Sequence, residues 1–262
     1  MRRGTTVKGV EEVVIVGVLG QWASGKSTAA ETLVKHLGKE GDVIFITDRV
    51  LVAAQAVNHI LEIDDSELEV SLLDDGRRRL AGELAAVYLE PGEDLANVDL
   101  NTLLFDFHDD VYDGVRPNSY SWLDKSRLEL GQQILEKSAD GRPIVVEAGF
   151  GTNVEPRGEN PFSQSLSDLF VLLEEAGVEL HRIRWIIIES SYAKRSERNR
   201  KRKDSVPVAE FDRFAADGGD LEPVHEERYA AQGIMINRVS NDHDDIEQFR
   251  SDIIHAFQEM TL

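Results

Sequence analysis

Apolar residues along the chain fall into two kinds of run. Five are short and continuous, at residues 12–19, 43–47 (VIFIT), 143–147 (PIVVE), 182–188 (RIRWIII) and 234–236. Unbroken apolar runs of this length predict strands buried on both faces, as in a parallel sheet. The other kind is periodic. Residues 26–37, with Ala29, Ala30, Leu33 and Val34 on one stripe and Gly38 as a stop signal, predict a helix, as do 121–138, 165–176, 191–203 and 246–260. Residues 50–89 predict two or three helices and 91–101 a loop, whereas 103–113 mixes apolar and acidic residues without a clean period. A polar helix and loop at 206–223 contains Gly218 and Gly219. Strands alternating with helices predict a three-layer α/β fold around a five-stranded parallel sheet. No internal repeat or low-complexity linker divides the chain, so residues 1–262 are expected to form a single domain. Right-handed crossovers then bring the C-terminal ends of the strands to one edge of the sheet.

At that edge the first strand runs into VVIVGVLGQWASGKST. Gly20, Gly25, Lys26 and Ser27 satisfy G-x-x-x-x-G-K-[ST] in the strand–loop–helix context that gives the motif its meaning. Such a loop turns backbone N–H groups inward, here from Gly20 through Ala23 and Ser24 to Thr28, and the helix beginning at Lys26 adds its N-terminal dipole. A nucleoside triphosphate fits this arrangement. Lys26 is placed to reach the β- and γ-phosphates, Ser27 to ligate Mg²⁺, and Thr28 to touch the α-phosphate. Trp22 inside the loop either packs on a helix or covers the nucleotide.

Composition narrows the partners. Asp and Glu total 49 against 29 Lys and Arg, for a formal charge of -20. That balance opposes general binding to nucleic acid or to anionic membranes. The absence of cysteine removes disulfides, thiolate metal sites and thiol nucleophiles. The N-terminus lacks the apolar segment of a signal peptide and no run reaches membrane-spanning length, so the expected location is the cytoplasm.

Further candidates lie at the same edge. Asp48, after the second strand, is placed to hold or deprotonate an acceptor hydroxyl, or to cap the helix that follows. Arg49 beside it suits an anionic group on the acceptor. Glu147 ends the third strand, where an acidic residue orders Mg²⁺ or its water, or caps the loop. Gly149 follows in a loop that faces the acceptor. The basic run YAKRSERNRKRK opposes the sign of the chain and starts directly after the fourth strand. Arg195, Arg198, Arg200 and Arg202 are candidates to neutralise charge during phosphoryl transfer, with Arg195 and Arg198, or Arg198 and Arg202, sharing a helix face. The acidic cluster Asp106, His108, Asp109, Asp110 and Asp113 matches no metal-site spacing and reads as a solvated loop, while Arg116 after it is placed to bring a cation toward the acceptor. His36, His59, His225, His243 and His255 show no partner pattern and read as structural.

The segments GVLGQWASGKST, FITDRV, PIVVEAG, WIIIESSYAKRSERNRKRKD and IMINRVSNDHDDIEQF resemble the nucleoside and nucleotide kinase branch of P-loop proteins, most of all dephospho-CoA kinases and their relatives. The resemblance implies a sheet of order 2-3-1-4-5, ATP and Mg²⁺ as co-substrates, and a mobile lid, here 191–225, carrying arginines onto the phosphates. It also implies that Asp48 holds the acceptor hydroxyl, that Glu147 replaces an aspartate, and that Asn237 matches an asparagine after the last strand near the adenine. A mostly helical stretch within 50–140 departs from the compact family pattern and is expected to be an insertion on the acceptor side. The function expected is ATP-dependent transfer of the γ-phosphoryl group to a small, nucleotide-like acceptor. Two other classes stand beside it: a nucleotide-dependent switch that binds a protein partner, and a polynucleotide kinase using the basic helix.

Overall fold

The computed structural model describes residues 13–39, 41–48, 51, 55, 121–150, 165–202, 208, 211, 212, 221 and 223–260. The strands are β1 (Ile15–Gly20), β2 (Ile44–Thr47), β3 (Ile144–Gly149), β4 (Ile183–Glu189) and β5 (Met235–Ser240). The helices are α1 (Lys26–Leu37), α2 (Ser121–Ser138), α3 (Leu166–Glu175), α4 (Tyr192–Lys201), α5 (Pro223–Ala231) and α6 (Ile246–Glu259). All five strands are parallel, in the order β2-β3-β1-β4-β5. The expected fold class and strand order are therefore the observed ones.

Period-2 alternation sorts each strand between two cores. Ile15 and Leu19 of β1, Val146 of β3 and Trp185 of β4 face one side, where Leu130 and Ile134 of α2, Leu169 and Phe170 of α3 and Tyr229 of α5 cover them. Val16 and Val18 of β1, Val145 of β3 and Ile186 of β4 face the other, against Ala29, Ala30 and Leu33 of α1 and Phe249, Ile253 and Phe257 of α6. Helix α2, which begins within 50–140, is thus part of the sheet's own covering layer. Residues 56–120 lie outside those described, and with them the expected helices, the acidic cluster and His59.

Gly17 in β1 faces Trp185 in β4 across the ladder. A Cβ on Gly17 would lie 2.2 Å from Trp185 Cε3, so the indole occupies the space a side chain would need. Gly17→Ala is expected to destabilise the fold by about 1–3 kcal/mol, the usual range for overpacking a core. Urea unfolding checks this; an unchanged midpoint would show that the indole moves aside freely.

At the C-terminal edge of the sheet, two strands end two or more residues beyond the sequence expectation. β3 continues two residues past Glu147, because Leu19 and Gly20 of β1 go on pairing with Ala148 and Gly149. Gly149 is accordingly the last residue of a strand and not part of a loop. β5 was expected to end at residue 236 but runs to Ser240, since β4 offers partners as far as Glu189. Its polar residues are satisfied at the sheet edge, Asn237 by the Ala256 carbonyl at 2.8 Å and Arg238 by Glu189 at 2.7 Å. Helix α5 was not read from the sequence at all; its buried Tyr229 packs edge-on against Phe170.

Candidate functional site

The C-terminal ends of β1, β2 and β3 meet around the loop between β1 and α1. Ala23 (φ 57) and Gly25 (φ 103) both adopt left-handed backbone there. For Ala23 this is a strained conformation, of the kind that backbone nests use to aim N–H groups into a concavity. Three other helices carry a side-chain N-cap: Ser165 on α3, Ser191 on α4 and Asp245 on α6. Gly25 makes no such bond, so the first-turn amides of α1 keep their capacity for an anion at the loop.

Ser27 and Glu147 come together: the Ser27 hydroxyl donates to Glu147 Oε1 at 2.6 Å. Two adjacent hard oxygens, one of them a carboxylate that is 8% exposed, suit Mg²⁺, which takes one or two protein oxygens and completes its shell with phosphate and water. Among the described residues no group of three or more potential metal ligands forms elsewhere.

Asp48 crosses from β2 to β3. Its Oδ2 accepts from the Gly149 backbone N–H at 2.6 Å and from Arg127 Nη1 at 2.5 Å, while Arg127 Nη2 donates to the Gly149 carbonyl at 2.8 Å. Asp48 and Arg127 are both buried, so this is a charge pair out of water with its hydrogen bonds shared through one glycine. A methyl group placed on Gly149 would lie 3.7 Å from Asp48 Oδ2 and 3.7 Å from Lys26 Cε. Asp48 and the loop lysine therefore border the same open side of Gly149. Arg127 was not among the sequence candidates; the only available signal was a cation within an otherwise helical stretch of α2.

The basic helix α4 divides its arginines. Arg195 is fully buried, with Nε donating to the Ser190 carbonyl at 2.9 Å and its guanidinium 6.0 Å from the Tyr192 ring. Arg198 binds four acceptors: Ser24 O (3.4 Å), Ser190 Oγ (3.2 Å), Asn241 Oδ1 (3.1 Å) and His243 O (3.2 Å). Burial draws its pKa down, against Asp242, Asp244 and Glu197, which hold it up. Arg200 is exposed, and Arg202 caps the helix in extended backbone and so leaves the face shared by Arg195 and Arg198. For Asp242, burial raises the pKa, but the backbone N–H of Ser191 and the Ser190 hydroxyl outweigh it and hold the carboxyl below its ordinary value.

Asn237 does not follow the last strand. It lies inside β5 with its amide on α6, because β5 extends to Ser240; the asparagine that follows the strand is Asn241, beside the loop. Trp22 packs against Phe211, with Ala23 and Tyr192 in the same cluster. Tyr192 also donates its hydroxyl to Asp212. His225 shares a hydrogen bond with Ser167 at 2.8 Å, and His36 meets Phe257 edge-on, as structural residues do. A cleft of about 310 Å³ opens between the loop and the ends of β4 and β5, lined among others by Gln21, Ser24, Ser190, Arg195 and Asp242. Arg49 and Arg116 lie outside the described residues. No helix among the described residues is long and apolar enough to cross a membrane.

No protein-family profile and no curated protein sequence matches the chain. Among solved structures it is similar to a sugar kinase from a Janibacter species, at 12% identity over 94% of this chain and 95% of that one, with a TM-score of 0.48. It is also similar to TT1252 from Thermus thermophilus, at 17% identity, 96% and 100% coverage and a TM-score of 0.42. A third is thymidylate kinase from Ehrlichia chaffeensis, at 13% identity, 94% and 98% coverage and a TM-score of 0.40.

Proposed function

We propose that this protein is an ATP- and Mg²⁺-dependent phosphotransferase that moves the γ-phosphoryl group to a hydroxyl of a small, nucleotide-like molecule. The observation that carries the reading is that the Asp48 carboxylate and Lys26 border the same side of Gly149, at the end of a loop whose motif is that of a phosphate cradle. An acceptor that attacked through its own phosphate would meet that carboxylate as a like charge, and the nearby Arg127 is already engaged by Asp48 and Gly149. A neutral hydroxyl meets it as a hydrogen-bond donor.

In this mechanism the loop amides and Lys26 hold the triphosphate, and Ser27 with Glu147 would hold Mg²⁺, which would supply charge neutralisation to the phosphates. Asp48 accepts the hydroxyl proton as the acceptor oxygen bonds to the γ-phosphorus. The bond from that phosphorus to the β,γ-bridging oxygen breaks, and ADP leaves. Arg195, Arg198 and Arg202 belong to the lid side, where α4 adds positive charge; Arg198 does so through the back of the loop. Arg49 and Arg116, outside the described residues, are the sequence's candidates for the acceptor.

Incubating the protein with Mg-ATP and a panel of nucleosides, sugars, nucleotides and pantetheine compounds tests this. The expected result is one phosphorylated hydroxyl product and stoichiometric ADP. ATP hydrolysis stimulated by a protein partner, with no phosphorylated small molecule, would replace this reading with the switch. Phosphorylation of oligonucleotide ends would replace it with a polynucleotide kinase.

A further inference from the structure

Four observations converge on the outer side of the phosphate loop. Asn241, 6% exposed and directly after β5, donates from Nδ2 to the Ser24 carbonyl at 2.7 Å. Its Oδ1 accepts from Arg198 Nη2 at 3.1 Å, so the amide has a carbonyl at one end and a guanidinium at the other, which fixes its orientation. Arg198 Nη1 adds a longer donation to the same carbonyl at 3.4 Å. Finally, a Cβ on Gly25 would lie 2.2 Å from Asn241 Nδ2, so glycine there meets both the positive φ and the close approach of this amide.

A peptide unit is planar and trans, so its C=O and N–H point in opposite directions. Holding the Ser24 carbonyl outward turns the Gly25 N–H to the inner side of the loop, next to the uncapped first turn of α1. Without a donor on that carbonyl, the Ser24–Gly25 unit is free to rotate, since glycine accepts most backbone conformations. We propose that Asn241, assisted by Arg198, is a positioning residue that sets the phosphate cradle by pinning the Ser24 carbonyl, and thereby ties nucleotide affinity to the seating of α4. This rests on the phosphotransferase reading and adds a residue the motif does not contain.

The geometry ranks the variants. Asn241→Leu keeps the approximate shape and removes the donor; Asn241→Asp also removes it but keeps an acceptor for Arg198; Arg198→Met leaves the short Asn241 bond to the Ser24 carbonyl and removes the longer one, together with the donations to Ser190, Asn241 and His243. Binding of Mg²⁺ with a non-hydrolysable ATP analogue, and of tripolyphosphate alone, is measured calorimetrically on the full chain, alongside urea unfolding. Loss of one neutral hydrogen bond at the cradle corresponds to affinity weaker by about tenfold for both Asn241 variants, and roughly threefold for Arg198→Met. The unfolding midpoint of the two Asn241 variants is expected to stay near that of the parent, and the Gly25 amide resonance to shift in Asn241→Leu while core resonances stay in place.

If Asn241→Leu binds both probes as the parent does, the proposal is wrong even if Asn241→Asp is weakened, because charge alone then explains the latter. Loss of affinity only in step with loss of stability would also overturn it. A parent protein that binds neither probe would remove the phosphotransferase reading itself, and this proposal with it, whereas a parent that binds normally isolates the failure to Asn241.

Discussion

Asp48→Asn is expected to lower kcat for phosphoryl transfer by about a hundred- to ten-thousand-fold, the range general-base groups contribute, with KM for ATP changed by no more than roughly threefold. The substitution is informative because of how the carboxylate is held. One oxygen, Oδ2, makes both observed bonds, to Arg127 and to the Gly149 N–H. An asparagine carbonyl can still accept both hydrogen bonds, although the Arg127 guanidinium loses its counter-charge and the fold some stability, while the second oxygen becomes an NH₂ that cannot take a proton from the acceptor. Loss of rate with retained nucleotide affinity, measured by steady-state kinetics on the product found in the substrate panel, is the signature. Activity within tenfold of the parent would show that Asp48 holds the strands together and does no chemistry.

Arg127→Met carries the largest expected effect on stability, about 3–5 kcal/mol, the range for breaking a buried ion pair on one side. Its side chain and that of Asp48 are 6% and 11% exposed, so solvent screens the pair little. Removing the guanidinium leaves a carboxylate with one backbone donor and takes a donor from the Gly149 carbonyl. For a domain of this size that loss lowers Tm by roughly 6–20 °C. Adding Asp48→Asn to Arg127→Met should recover part of it, since the uncompensated buried charge is gone. A double variant less stable than Arg127→Met alone, or no loss in the single variant, would show that the pair does not hold these strands.

Much of the architecture was legible because it is local. Continuous apolar runs mark strands that bury both faces, and the periodic stripes of α1, α3 and α6 mark helices that cover them; each is a property of at most 14 consecutive residues. Boundaries were less legible where the deciding partner is distant. β3 and β5 extend past their apolar runs because neighbouring strands still offer ladder bonds, and a polar Asn237 or Arg238 at an edge can be satisfied by Ala256 or Glu189. Helix α5 escaped notice because one buried tyrosine makes no periodic stripe.

The site divides in the same way. By itself the sequence determined the loop motif of Gly20, Gly25, Lys26 and Ser27 between a strand and a helix, since such a loop is made by consecutive backbone units and needs no remote residue to be recognised. It also placed Asp48 and Glu147 at the right edge, because a parallel sheet delivers every strand's C-terminal end there. Only the tertiary structure decided what those residues touch. Arg127 meets Asp48 across 79 positions, Glu147 meets Ser27 across 120, and Asn241 meets the Ser24 carbonyl across 217. Contacts of that reach are set by which helix packs on which face, and no local pattern of residue types encodes them.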